Sequence, residues 1–133
     1  MTRSLTGSCL CGNVSYDIVP AFVRFVHCYC SRCRKSTGSG HASNIVVVPK
    51  QFRWTRGEEL LVRYDLPDAR SFATTFCSRC GCPLPHLTRS GREVIVPAGS
   101  LDEEPTEVPS AHVHWASRAT WVSHSDRQVQ YAE

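Results

Sequence analysis

At 133 residues the chain is long enough for one domain spanning 1–133 and too short for two comfortable ones. Eight cysteines in a chain that is 41% hydrophobic leave a disulfide scaffold or a metal-thiolate protein. The net charge of +3 and a pI of about 8.5 fall short of a nucleic-acid-binding footprint, so nucleic acid is not the expected partner.

From the N-terminus, Met1 to Gly7 holds no apolar core of a secretory leader. The longest aliphatic run, Ile45 to Val48, cannot span a bilayer. The expected setting is therefore the reducing cytoplasm, with no membrane partner and with cysteines that bind metal. Val14 to Ile18 alternates after Gly12-Asn13 and reads as the second arm of a hairpin. Phe25 to Cys28 is extended and leads into a cysteine-rich loop, and Arg34 to Gly38 reads as a brief helical turn closing at glycine. Ala42 to Val48 is the strongest strand. Further strands are predicted at Phe52 to Thr55, Leu60 to Tyr64, Ser71 to Phe76, Glu93 to Val96 and Ala111 to Trp115. Many short strands with turn residues between them predict a mainly β, antiparallel fold.

The cysteines fall in three clusters: Cys9-x-Cys11, Cys28-x-Cys30-x-x-Cys33 and Cys77-x-x-Cys80-Gly81-Cys82. A C-x-x-C turn brings both sulfurs onto one ion, and two cysteines two apart on a strand share a face. Pairing Cys9 and Cys11 with Cys77 and Cys80 gives a closed four-thiolate structural zinc site. Cys28, Cys30 and Cys33 then supply three thiolates, the arrangement of a catalytic zinc that keeps one position open. Three thiolates make the ion a weak Lewis acid, better suited to a soft thiol than to activating water. Cys82, His27 and His41 are alternative fourth ligands. His27 is expected on the face opposite Cys28, and Cys82 could join either site or pack as a small apolar group.

Charge is unevenly spread. Residues 1–56 hold eight Lys/Arg against Asp17 alone, a net +7, while the rest carries seven basic and eleven acidic side chains, a net −4. The positive part surrounds the middle cysteine cluster and would suit an anionic ligand as well as a solvated surface.

The blocks Gly7 to Val14, His27 to Ser39 and Phe76 to Gly81, together with Phe52 to Gly57, Gly99 to Asp102, His112 to Trp115 and Trp121, resemble the glutathione-dependent formaldehyde-activating enzyme (GFA) family, also called the CENP-V/GFA domain. The resemblance implies an Mss4-like antiparallel β-fold built around zinc knuckles. It implies one zinc on Cys9, Cys11, Cys77 and Cys80 and a second on Cys28, Cys30 and Cys33. It also implies a carbon–sulfur lyase-type activity that condenses formaldehyde with glutathione to S-hydroxymethylglutathione. On that reading Arg32, Arg34 and Lys35 attract the carboxylates of a glutathione-like thiol cosubstrate, Ser36 and Ser39 orient it, and Trp115 and Trp121 either line a pocket or belong to the core. Cys82 departs from the Thr or Ser usual in the family. The alternative is a zinc-built module that binds a protein or a nucleic acid without catalysis.

Overall fold

Short stretches such as Leu5–Ser8, Ser15–Ile18, Ala73–Cys77 and Val94–Pro97 bury alternate residues along one face. The computed structural model describes residues 3–133, with the backbone alone for 123–126. Its strands are β1 (Leu5–Ser8), β2 (Ser15–Ile18), β3 (Arg24–Cys28), β4 (Ala42–Val47), β5 (Phe52–Arg56), β6 (Leu61–Asp65), β7 (Ala73–Cys77), β8 (Pro83–Leu84), β9 (His86–Leu87), β10 (Val94–Pro97) and β11 (Ala111–Val113). The one α-helix among the described residues, α1, spans Ser31–Thr37. Among the described residues no helix is long and apolar enough to cross a membrane.

The strands form three sheets in the orders β1-β2-β5, β11-β3-β4-β10-β9 and β6-β7-β8. All pairings are antiparallel except β11 with β3, which run parallel. The mainly β, antiparallel architecture predicted from the sequence is thus observed. The principal core gathers Tyr16, Ile18, Phe25, Ile45, Val47, Leu84, Val94 and Val96. Tyr16 has no exposed surface and packs against Phe52 and Trp54 at ring separations of 5.5 and 6.1 Å. Its hydroxyl meets the Ser100 hydroxyl at 2.6 Å, and that hydroxyl donates in turn to the Pro97 carbonyl at 2.7 Å.

The helix begins three residues earlier than the predicted turn, because Cys30 serves as its N-cap: the Cys30 sulfur accepts from the Cys33 backbone N–H at 3.3 Å. It ends at Gly38, whose φ of 67° is the left-handed geometry that closes a helix at little cost without a Cβ. Strand β3 therefore delivers Cys28, and the first helical turn delivers Cys30 and Cys33 to the same place.

Candidate metal centres and the adjoining cavities

At the first centre the Cys9, Cys11, Cys77 and Cys80 sulfurs lie within 4.8 Å of one another. Sγ–Sγ separations are 3.5 Å for Cys9 and Cys11 and 3.8 Å for Cys11 and Cys77. A tetrahedron with metal–sulfur bonds of about 2.3 Å has edges of about 3.8 Å, so four thiolates so spaced fit zinc. The turns supporting them point donors at sulfur. The Val14 and Arg79 backbone N–H groups donate to Cys9 and Cys77 at 3.3 and 3.4 Å, and the Asn13 amide donates to Cys11 at 3.2 Å. Gly81, at φ 74°, reverses the chain after Cys80 so that its N–H reaches the Cys77 carbonyl at 2.8 Å. Hydrogen bonds from Asn13 bring the Cys11 thiol down to about 6, whereas burial pushes Cys77 up to about 11.

At the second centre the Cys28, Cys30 and Cys33 sulfurs also lie within 4.8 Å of one another. Among the described residues no fourth Cys, His, Asp or Glu ligand atom joins them at that reach. Hydrogen bonding from Cys33 lowers Cys28 to about 5, and that same bond together with burial drives Cys33 strongly upward. Three soft donors with a free side fit a zinc ion that keeps one open position. Ala42, Phe72 and Val113 pack around the trio.

His27 does not join this group. Its ring lies 4.2 Å from that of His41, its Nδ1 meets the Ser43 hydroxyl at 3.0 Å, and it pairs with His112 across β11, on the sheet face opposite Cys28. Burial lowers the pKa of both His27 and His41. Cys82 belongs to neither centre: its thiol donates to the Pro83 carbonyl at 3.3 Å, and burial raises its pKa.

The trio borders a cavity of about 660 Å³ whose wall includes Arg24, Ser31, Arg32, Ser71 and His114. Arg24 is committed to a two-point pair with Glu93 at 3.0 and 2.9 Å, whereas Arg32 has no carboxylate within ion-pair distance among the described residues. Of the other sequence candidates, Ser36 borders a second cavity while its hydroxyl donates to the Cys33 carbonyl at 3.2 Å. Lys35 and Ser39 are exposed and border neither cavity, and the Nε of Arg34 is buried without a hydrogen bond. Trp115 meets Tyr29 edge to face and carries the Arg118 guanidinium 4.4 Å above its ring, and Trp121 sits over Gly40; neither borders these cavities.

His114 escaped assignment from the sequence. It holds a left-handed backbone at φ 54°, unusual for a residue with a Cβ, and this turn after β11 brings it to the cavity wall by Cys28. His86, Asn44 and Phe72 escaped as well, since His86 and Asn44 reach the cavity through strand register and Phe72 through the loop before β7, rather than through local spacing.

Comparison with known proteins adds three findings. Residues 4–117 match the family model described as "Glutathione-dependent formaldehyde-activating enzyme". A Halomonas elongata protein named "Putative glutathione-dependent formaldehyde-activating enzyme" is 30% identical over 135 residues, covering 93% of this chain and 83% of that one. A crystal structure of a Rhodobacter sphaeroides protein superposes with a TM-score of 0.61 at 28% identity, covering 79% of this chain and 98% of that one.

Proposed function

Because the chain belongs to the glutathione-dependent formaldehyde-activating enzyme family, we propose that it is a zinc-dependent carbon–sulfur lyase-type enzyme acting on thiol–aldehyde adducts, in the manner of S-hydroxymethylglutathione synthase. The observation that carries this reading is the convergence of the Cys28, Cys30 and Cys33 sulfurs on the wall of a cavity of about 660 Å³. Zinc bound by the trio would supply an open position that favours the thiolate form of an arriving thiol. A second zinc on Cys9, Cys11, Cys77 and Cys80 would have a structural role.

The chain's own groups divide the remaining work. Arg32, an exposed cation beside the trio, attracts a carboxylate of a glutathione-like thiol, and the Ser31 and Ser71 hydroxyls offer hydrogen bonds that orient it. The thiolate sulfur attacks the aldehyde carbon, a C–S bond forms, and the C=O π pair moves to oxygen, which takes up one proton. His114 on the same wall is the group placed to pass that proton. The reverse sequence removes the proton and expels the thiolate.

The test is zinc content by mass spectrometry together with turnover of S-hydroxymethylglutathione on the full chain. Wild type is expected to carry two zinc ions, and Cys30→Ser to lose one of them and the turnover. Unchanged stoichiometry and unchanged turnover in Cys30→Ser would overturn the assignment.

A further inference from the structure

The cysteine trio adjoins two spaces of different character: all three thiols line the larger, and Cys33 alone reaches the smaller. The larger cavity has a mixed lining that includes the charged or ionisable side chains Arg24, Arg32 and His114. A second cavity of about 240 Å³ shares Cys33, Asn44, Phe72 and Ile95 with it, and its walls are mainly apolar, including Ala42, Leu84 and Pro97.

Register accounts for the second space. Cys28 pairs with Ala42, Val46 pairs with Ile95, and Ile95 pairs with His86. Since opposed residues share a face, and residues two apart on a strand do too, Cys28, Ala42, Asn44, Ile95 and His86 all leave one side of the five-stranded sheet. The other side carries Phe25, Ile45, Val47, Val94 and Val96 into the principal core. Phe72 and Leu84 close the space from outside this sheet. His86 adds no charge at neutral pH, since burial brings its pKa down to about 4.

Formaldehyde contributes a single carbon to a thiol adduct and leaves such a space unfilled, whereas an apolar cavity of about 150 Å³ is enough to hold benzene. Glutathione, with two carboxylates and an ammonium group, suits the larger cavity, which carries Arg32, instead. We infer that the substrate is the adduct of a thiol with an aldehyde bearing an apolar substituent of about six to eight carbons, lodged among Ala42, Phe72, Leu84 and Ile95. The inference rests on the carbon–sulfur lyase reading for its chemistry, though the pocket itself can be tested without any reaction.

The experiment is calorimetric titration of the zinc-loaded full chain with S-benzylglutathione and with S-methylglutathione, two unreactive thioethers that differ only in the apolar group. S-benzylglutathione is expected to bind about tenfold more tightly or better; equal or weaker binding overturns the inference. Ile95→Trp, checked for folding by circular dichroism, is expected to bring the affinity ratio close to one, and an unchanged ratio counts against the pocket. The wild-type comparison decides the matter should that variant misfold. Turnover of the glutathione adducts of formaldehyde and heptanal, measured alongside, separates the two ideas. Turnover without a benzyl advantage overturns this inference alone, whereas a benzyl advantage without turnover of either adduct supports the pocket and overturns the lyase reading.

Discussion

The guanidinium of Arg89 donates to the backbone carbonyl of Phe72 at 2.9 Å, and it also reaches the Leu66 and Ala69 carbonyls, each at 2.7 Å. One cation thus gathers the loop that carries Phe72 onto the cysteine trio. Charge-assisted bonds to backbone carbonyls are individually strong, and here three are made by one side chain, so Arg89→Met is expected to destabilise the protein by about 2–3 kcal/mol. Urea unfolding checks the magnitude. Hydrogen exchange should show the loss of protection concentrated at residues 66–72.

Cys11 and Cys77 are 66 residues apart in sequence, yet their sulfurs lie 3.8 Å apart. A metal shared between such distant segments ties the two knuckles together, and its binding energy becomes folding energy. A strong chelator is therefore expected to lower the melting temperature of the wild type. Cys77→Ser, at a position with no exposed surface, is expected to melt lower still and to respond little to the chelator. Thermal scans of both proteins with and without chelator provide the check.

Tyr16 fills the space directly over Gly7, where any Cβ would overlap its ring. Gly7→Ala must displace a fully buried aromatic side chain, and the expected cost is about 1–3 kcal/mol. Tyr16→Phe keeps the ring and removes only the bond to Ser100, whose hydroxyl still donates to Pro97, so the expected cost is about 1 kcal/mol. Denaturant midpoints of the two variants should rank in that order.

Burial, reinforced by Arg63 and opposed by Asp65, depresses His86 from an ordinary histidine value of 6.5 to about 4. Above 6.5 both folded and unfolded chains hold it neutral, and the effect on stability is nil. As the pH falls from 6.5 toward 4 the unfolded chain takes up a proton that the folded one refuses, so stability is lost across that window, by about 3 kcal/mol at its foot. His27 and His41 act in the same direction, and the cysteine sites lose metal in acid too. Comparison with His86→Gln isolates the single contribution. Unfolding free energies at pH 7 and pH 4.5 should differ less in the variant than in the wild type.

Ala42–Val47 was legible as a run ending in β-branched residues, and Phe52–Arg56 because aromatic and polar residues alternate along it. Pro83–Leu84 and His86–Leu87 were not, since two-residue strands on either side of Pro85 carry no periodic signal. The helix start was hidden for a different reason. Its cap is the thiol of Cys30, not the Ser, Thr, Asp or Asn that marks a helix start in sequence.

The amino-acid sequence alone determined the three cysteine groups and their unequal sizes, because C-x-C and C-x-x-C place donors together through a few covalent bonds, whatever the rest of the chain does. The meeting of Cys11 with Cys77 and the turning away of His27 were expected from spacing and strand alternation, but only the tertiary structure decided that Ala42, Ile95 and His86 face the same side as Cys28. Strand register sets those relationships, and a slip of one residue would move every one of these side chains to the opposite face. The charged groups and apolar walls that choose a substrate come from strands and loops remote from the thiols, so they exist as a site only after the sheets have formed.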